Sequence, residues 1–159
     1  LLAEAIERQT GTLHSRGVRI LHLGRMDRLD DKLARSIERT VVLTKENTGL
    51  TLSVAFDYGG RGELLEVIKE IVRQGHRPED INEHLISRYL YTAQVPDPDF
   101  LIRTGGEMRL SNFLLWQAAY TEFYSTKVLW PDFGPADVHS ALDAYTARER
   151  RFGTVVSEA

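Results

Sequence analysis

The chain has 159 residues, a net charge of −3 and no cysteine, with 42% apolar and 27% charged residues, the ordinary balance of a globular domain. That size suits one domain with one sizeable core, and the lack of thiols excludes disulfides and zinc–thiolate clusters and fits a reducing compartment. The slightly negative charge excludes a surface-wide field for nucleic acid, so any anion site must be local, built from a few arginines and backbone N–H groups.

No apolar run approaches the length of a membrane span, and nothing reads as a signal peptide. The chain opens without Met. Leu1, Leu2, Ala5, Ile6 and Leu13 share one helical face, so it reads as starting inside a helix and as cut from something longer. This helix is expected to stop between Gly11 and Gly17. Val18-Arg-Ile-Leu-His-Leu23, ending at Gly24, is β-branched and apolar and reads as a buried strand. Asp30 and Asp31 are suited to cap a second helix with an apolar face of Leu33, Ala34, Ile37 and Val41, broken at Thr48-Gly49. From Leu50 to Phe56 the chain alternates as a strand, with Leu50, Leu52, Val54 and Phe56 on one side. Gly59-Gly60 turns it into a helix predicted over 63–74 and ended by Gly75. Pro78 opens another, with Ile81, Leu85, Ile86 and Tyr89 toward the core.

Pro96 and Pro98 bracket a loop before Phe100-Leu-Ile-Arg103, a strand that ends on a charge. A polar, glycine-bearing connection leads from Thr104 to Ser111, the N-cap of a helix predicted over 112–120. Lys127-Val-Leu-Trp130 predicts a last strand, stopped by Pro131; Gly134-Pro135 starts a final helix that ends among Arg148, Arg150 and Arg151. Four strands alternating with helices predict an α/β fold, a mostly parallel sheet flanked by helices on both faces, with residues 1–159 as a single domain.

In open α/β sheets, ligands bind beyond the carboxyl ends of the strands. Arg103-Thr-Gly-Gly-Glu-Met-Arg-Leu-Ser111 suits that role: an arginine at a strand end, glycines that let backbone N–H groups approach a ligand, a second arginine, and a serine at a helix start. Two guanidiniums grip a diphosphate in bidentate fashion, where lysine offers a point charge. The same residues also suit a structural loop with surface ion pairs. A second connection, Phe56-Asp-Tyr-Gly-Gly-Arg61, needs its glycines for no more than a tight strand-to-helix turn. Glu122 lies among aromatic residues, either solvated or placed to hold Mg²⁺ beside a diphosphate. The five histidines show no metal-ligand spacing, and Arg148-Glu-Arg-Arg151 suits a solvated helix end.

From Pro98 through Arg103, Arg109 and Ser111 to Gln117, the sequence closely resembles the signature of the cis-prenyltransferases, of the undecaprenyl diphosphate synthase type. Tyr120-Thr-Glu-Phe-Tyr124, Leu129-Trp-Pro-Asp-Phe133 and Glu149-Arg-Arg-Phe-Gly153 follow in the family's order, and Asn47-Thr-Gly-Leu-Thr-Leu52 and Asp57-Tyr-Gly-Gly-Arg61 precede in it. The resemblance covers essentially the whole chain. It implies condensation of isopentenyl diphosphate with an allylic diphosphate such as farnesyl diphosphate, with Mg²⁺ as cofactor. Arg103, Arg109 and Ser111 would bind the diphosphate of isopentenyl diphosphate, and Glu122 would help to hold Mg²⁺ at or across a homodimer interface. Arg151 and Gly153 match an Arg-x-Gly motif that reaches the partner subunit's site. The growing hydrocarbon needs a dry tunnel, so strand residues such as Leu52 or Val54 are expected to face a cavity. The product would pass to the membrane, which implies a cytoplasmic protein, peripheral at the membrane.

Two positions depart from the family pattern: Asp57 stands where the family usually has Asn, and Met108 where it often has His. The family's Met-Asp-Gly-Asn-x-Arg type motif, whose Asp is central to Mg²⁺ and allylic diphosphate binding, has no counterpart here, nor has its Phe-Ser-x-Glu-Asn-Trp type segment. The catalytic residue is therefore expected outside this chain, which alone would be inactive. Two rivals stand beside this reading: a non-catalytic partner subunit of a heteromeric cis-prenyltransferase, and a plain phosphate-binding module. Trans-type prenyl synthases are excluded, because the chain has no Asp-rich helical motif.

Overall fold

The computed structural model describes residues 2–148, and backbone packing divides the chain into two units, residues 1–94 and 95–159. In the first, helices α1 (Leu2–Ser15) and α2 (Asp31–Thr44) pack together, and α2 lies against β1 (Arg19–Leu23), which pairs in parallel with β2 (Thr51–Ala55). Asp30 starts α2 as expected, its carboxylate accepting the N–H groups of Lys32 and Leu33 at 3.1 and 3.0 Å. Leu33 and Ile37 from the predicted apolar face are buried with Ala3, packed by Ile6, Met26, Leu29 and Val41. Small hydroxyl residues let the two helices approach closely. Ser36 donates to the Ala3 carbonyl, and Thr10 and Thr40 share a buried hydrogen bond of 2.9 Å. Thr44, with no exposed surface, accepts the Ile20 N–H at 3.0 Å and donates to the Thr40 carbonyl.

Glycines close both ends of the β1–β2 ladder. A Cβ on Gly49 would sit 2.7 Å from the Gly17 carbonyl oxygen, and one on Gly24 would sit 2.2 Å from that of Phe56. Gly24 also has φ +134°, a conformation that only glycine adopts without strain. Gly11, by contrast, does not stop α1, which runs on to Ser15. Its cost as an interior glycine is about 1 kcal/mol, small beside the packing of the helix on α2.

Helix α3 (Gly60–Arg73) follows β2 and packs on α4 (Glu83–Tyr89). Pro78 opens only a single 3₁₀ turn, and α4 is capped by Asn82, whose side chain accepts the Leu85 N–H at 2.9 Å. Leu85 is buried as expected, whereas Ile81, left between the two turns, is exposed. The carboxylate of Glu63 is buried and accepts from the Tyr58 hydroxyl at 2.6 Å and the Tyr91 N–H at 2.8 Å.

In the second unit β3 (Phe100–Arg103) pairs in parallel with β4 (Glu122–Ser125), and α5 (Pro135–Thr146) packs on β4. Two expectations fail here. The last strand is the aromatic run at 122–125, not Lys127–Trp130. Thr126 and Val128 instead accept the N–H groups of Gly106 and Gly105, and Trp130, exposed, opens a 3₁₀ turn ahead of Pro131. The helix predicted over 112–120 is a series of turns, because Ser111, Asn112 and Leu114 hold φ of +49°, +65° and +46°. Left-handed residues at that spacing cannot propagate a right-handed helix. The fold is thus α/β with every strand paired in parallel, and among the described residues the sheets are two pairs, β1–β2 and β3–β4.

Replacing Thr44 by Val preserves its shape but strands the buried Ile20 N–H. The expected loss is about 1–3 kcal/mol, seen as a lower urea midpoint at unchanged m-value.

Candidate functional site

The loop after β3 closes around one guanidinium. Arg103 ends β3, and its Nη1 donates to the Arg109 carbonyl at 2.6 Å and to Ser111 Oγ at 3.2 Å. Its Nη2 donates to Glu107 Oε2 at 2.5 Å, while Arg109 donates to the other Glu107 oxygen. Arg103, Arg109 and Ser111, singled out from the sequence, therefore meet in one cluster. Glu107, which sequence reasoning passed over, is the anion that joins them. Its signal was its place between the two arginines, at positions 103, 107 and 109.

The contributions to an anion site differ from those expected. Gly105 and Gly106, at φ +87° and +78°, aim their N–H groups at the chain after β4 rather than at a ligand. No helix begins at Ser111, so no helix dipole acts there; the serine contributes its hydroxyl. What remains is a pair of guanidiniums, Arg103 one-quarter exposed and Arg109 two-thirds exposed, spanned by a single carboxylate. A guanidinium carries five N–H donors, so the pair retains donors beyond those given to Glu107. Glu107 bridges them with two oxygens, as a diphosphate would. An open pocket of about 340 Å³ lies beside Arg109, lined by Leu101, Met108, Leu110 and Phe123.

Glu122 is not part of this cluster. It opens β4 opposite Phe100, whereas Arg103 lies opposite Ser125, so the two occupy opposite ends of the ladder. The Phe100 and Tyr145 rings, 4.9 Å apart, seat the end of α5 on β3, and Arg148 beyond it donates to Glu122 at 2.7 Å. Among the described residues no three His, Cys, Asp or Glu side chains gather as a metal site. Mg²⁺ asks for less, since one or two carboxylates suffice when substrate phosphates and water complete its shell, and Glu122 offers one. Arg151 and Gly153 lie outside the described residues.

The first unit holds an apolar feature. A cavity of about 120 Å³ opens between the helices and β1–β2, lined by Ile6, Ile20, Ile37, Val41, Val54 and Phe56. A second pocket, of about 230 Å³, lies beside Leu13 and has Leu52 in its wall. Leu52 and Val54 thus face open space beside α1, as the alternation of β2 predicts. The carboxyl edge of the same strands is charged. Arg25 holds the Asp27 carboxyl below the usual range, and Lys69 does the same for Glu66.

Lysine at position 103 would keep one charge but lose the planar fork that reaches Glu107, Arg109 and Ser111 together. The Arg103→Lys variant is expected to bind inorganic pyrophosphate about tenfold more weakly by calorimetric titration.

Comparison with known proteins points one way. The model of the family described as "Putative undecaprenyl diphosphate synthase" matches residues 1–153. An isoprenyl transferase of Heliobacterium mobile is 50% identical over 159 residues, covering 98% of this chain and 61% of that protein. A ditrans,polycis-undecaprenyl-diphosphate synthase of Photorhabdus laumondii, named as specific for (2E,6E)-farnesyl diphosphate, is 41% identical over 158 residues, covering 97% of this chain and 62% of its own. Among solved structures, lavandulyl diphosphate synthase from Lavandula x intermedia, in complex with dimethylallyl diphosphate, aligns with a TM-score of 0.89 at 35% identity, over 96% of this chain and 68% of that one. The chain spans about three-fifths of the length of the curated relatives it matches.

Proposed function

This chain belongs to the undecaprenyl diphosphate synthase family of prenyltransferases, and from that membership we propose that the full-length protein condenses isopentenyl diphosphate with an allylic diphosphate to extend a cis-polyprenyl chain. The observation that carries the reading is the Arg103–Glu107–Arg109–Ser111 cluster at the carboxyl end of β3. In it the diphosphate of isopentenyl diphosphate takes the place of the Glu107 carboxylate, bridging the two guanidiniums and accepting from the Ser111 hydroxyl. The chemistry forms a carbon–carbon bond between the alkene of isopentenyl diphosphate and the allylic carbon. The allylic carbon–oxygen bond breaks, diphosphate leaves with the electron pair, and a proton is lost to create the new cis double bond. Fixing one diphosphate by a rigid fork aligns the alkene with the allylic carbon, the positional share of the catalysis.

Mg²⁺ when bound would offset charge on the phosphate oxygens, and Glu122 is the residue that would hold it here. The apolar walls beside β1 and β2 suit the hydrocarbon of the product. A homodimer, with the segment of Arg151 and Gly153 serving the partner's site, belongs to this reading, as do a cytoplasmic location, delivery of the product to the membrane, and action of residues 1–159 as one domain of the enzyme. No helix among the described residues is long and apolar enough to cross a membrane. The rival of a non-catalytic partner subunit is not favoured, because the substrate-binding run from Arg103 to Ser111 is intact.

The deciding experiment follows labelled isopentenyl diphosphate into lipid with farnesyl diphosphate and Mg²⁺, using the full-length protein. Incorporation supports the synthase. Its absence with primers of several lengths favours the partner subunit. Arg103→Ala and Arg109→Ala are each expected to raise KM for isopentenyl diphosphate about 10- to 100-fold, and unchanged kinetics would remove them from the site. Glu122→Gln is expected to raise the Mg²⁺ concentration needed for half-maximal rate. An unaltered metal titration would count against Glu122.

A further inference from the structure

At the carboxyl edge of β1–β2, the connections leaving the two strands are fastened together by residues with no role so far. Asp57, the first residue beyond Phe56, holds φ +50°. Its carboxylate receives Arg28 of the β1–α2 connection in a two-pronged grip, Nε at 2.8 Å and Nη2 on the second oxygen. Its carbonyl accepts the Arg25 N–H at 3.1 Å, and Gly24 leaves no room for a Cβ between the two segments. One residue earlier, the Phe56 carbonyl accepts from His22 Nε2 at 3.0 Å, and both side chains line the apolar cavity. Directly after Asp57 come Tyr58, anchored on the buried Glu63, and the first residues of α3.

We propose that Arg28 and Asp57 form a positioning clamp that holds the Phe56–Arg61 turn, and with it one wall of the apolar cavity, in its working geometry. The proposal rests on the prenyltransferase reading for what the cavity holds. Arg28 is 60% exposed and Asp57, partly buried, 24%, and an ion pair with one partner open to water contributes little to global stability. Its effect is therefore local. It stitches together two segments 29 residues apart at a turn whose left-handed backbone Asp or Asn tolerates and other side chains resist. Asn at position 57 would keep that backbone and one acceptor for Arg28, so a neutral amide performs part of the same task. Alanine at either position performs none of it.

The test compares Arg28→Ala, Arg28→Lys, Asp57→Asn, Asp57→Ala and the Arg28→Ala/Asp57→Ala double variant in the full-length protein. Arg28→Ala is expected to lower kcat about tenfold with KM for isopentenyl diphosphate unchanged, to speed amide hydrogen exchange over residues 57–61, and to leave the melting temperature nearly unmoved. Asp57→Asn should retain most of the activity, Arg28→Lys, which keeps the charge but loses the fork, should fall between wild type and Arg28→Ala, and the double variant should be no worse than Asp57→Ala. Exchange at 57–61 equal to the wild type in Arg28→Ala, or losses that multiply in the double variant, would overturn the clamp. A wild-type protein without prenyl transfer would overturn the functional reading instead, and the exchange measurement would still decide the clamp.

Discussion

A parallel strand pair obliges the chain to travel back along the sheet, and a helix usually carries it. Between β3 and β4 no helix does so, and the guanidinium of Arg103 takes on the task. It collects the Arg109 carbonyl, the Ser111 hydroxyl and the Glu107 carboxylate at the mouth of β3. Ser125 on β4 completes the tie by donating to the Glu107 carbonyl at 2.9 Å. Left-handed backbone at Ser111, Asn112 and Leu114 costs of order 1–3 kcal/mol per residue and persists only where neighbours over-determine it. Glu107 supplies from within the chain the negative charge that this cation gathers.

The two units hold opposite kinds of surroundings. Residues 95–148 offer forked donors and carboxylates on a strand edge. Residues 2–94 hold a mostly apolar cavity, with His22 and Thr40 as its polar lining residues, walled by two helices and two strands. Neither feature alone names a reaction; a cation cluster is compatible with any phosphate, and an apolar cavity with any hydrocarbon.

Much of this was legible in the sequence wherever a single local rule decides the outcome. Asp30 before an apolar period gave the start of α2, and the alternation of Leu52 and Val54 gave the face of β2. The cluster of Arg103, Arg109 and Ser111 was recognisable from its motif. Failures came where tertiary partners override local preference. Ser111 looks like an N-cap, but its hydroxyl is taken by Arg103, and the chain after it turns left-handed. Lys127–Trp130 reads as a strand, yet the carbonyl of Val128, with that of Thr126 before it, serves the glycines of a loop. Glu107 was missed because its importance lies in joining two other side chains, which no residue-by-residue reading ranks. Asp57 was noticed as a departure, but its partner Arg28 lies in another connection.

The glycines at the beginning of β1–β2 have a consequence for sequence drift. With the Gly17 carbonyl pressed on Gly49, a one-residue slip of β2 would bring the side chain of Thr48 or Leu50 against that backbone. Such a slip would also turn Leu52 and Val54 away from α1 and present Thr51, Ser53 and Ala55 in their place. The character of the cavity wall is thus protected by residues that have no side chain and never touch it. Substitutions can accumulate along β2 itself, changing the size of the cavity, while the identity of the face stays fixed from the strand's beginning.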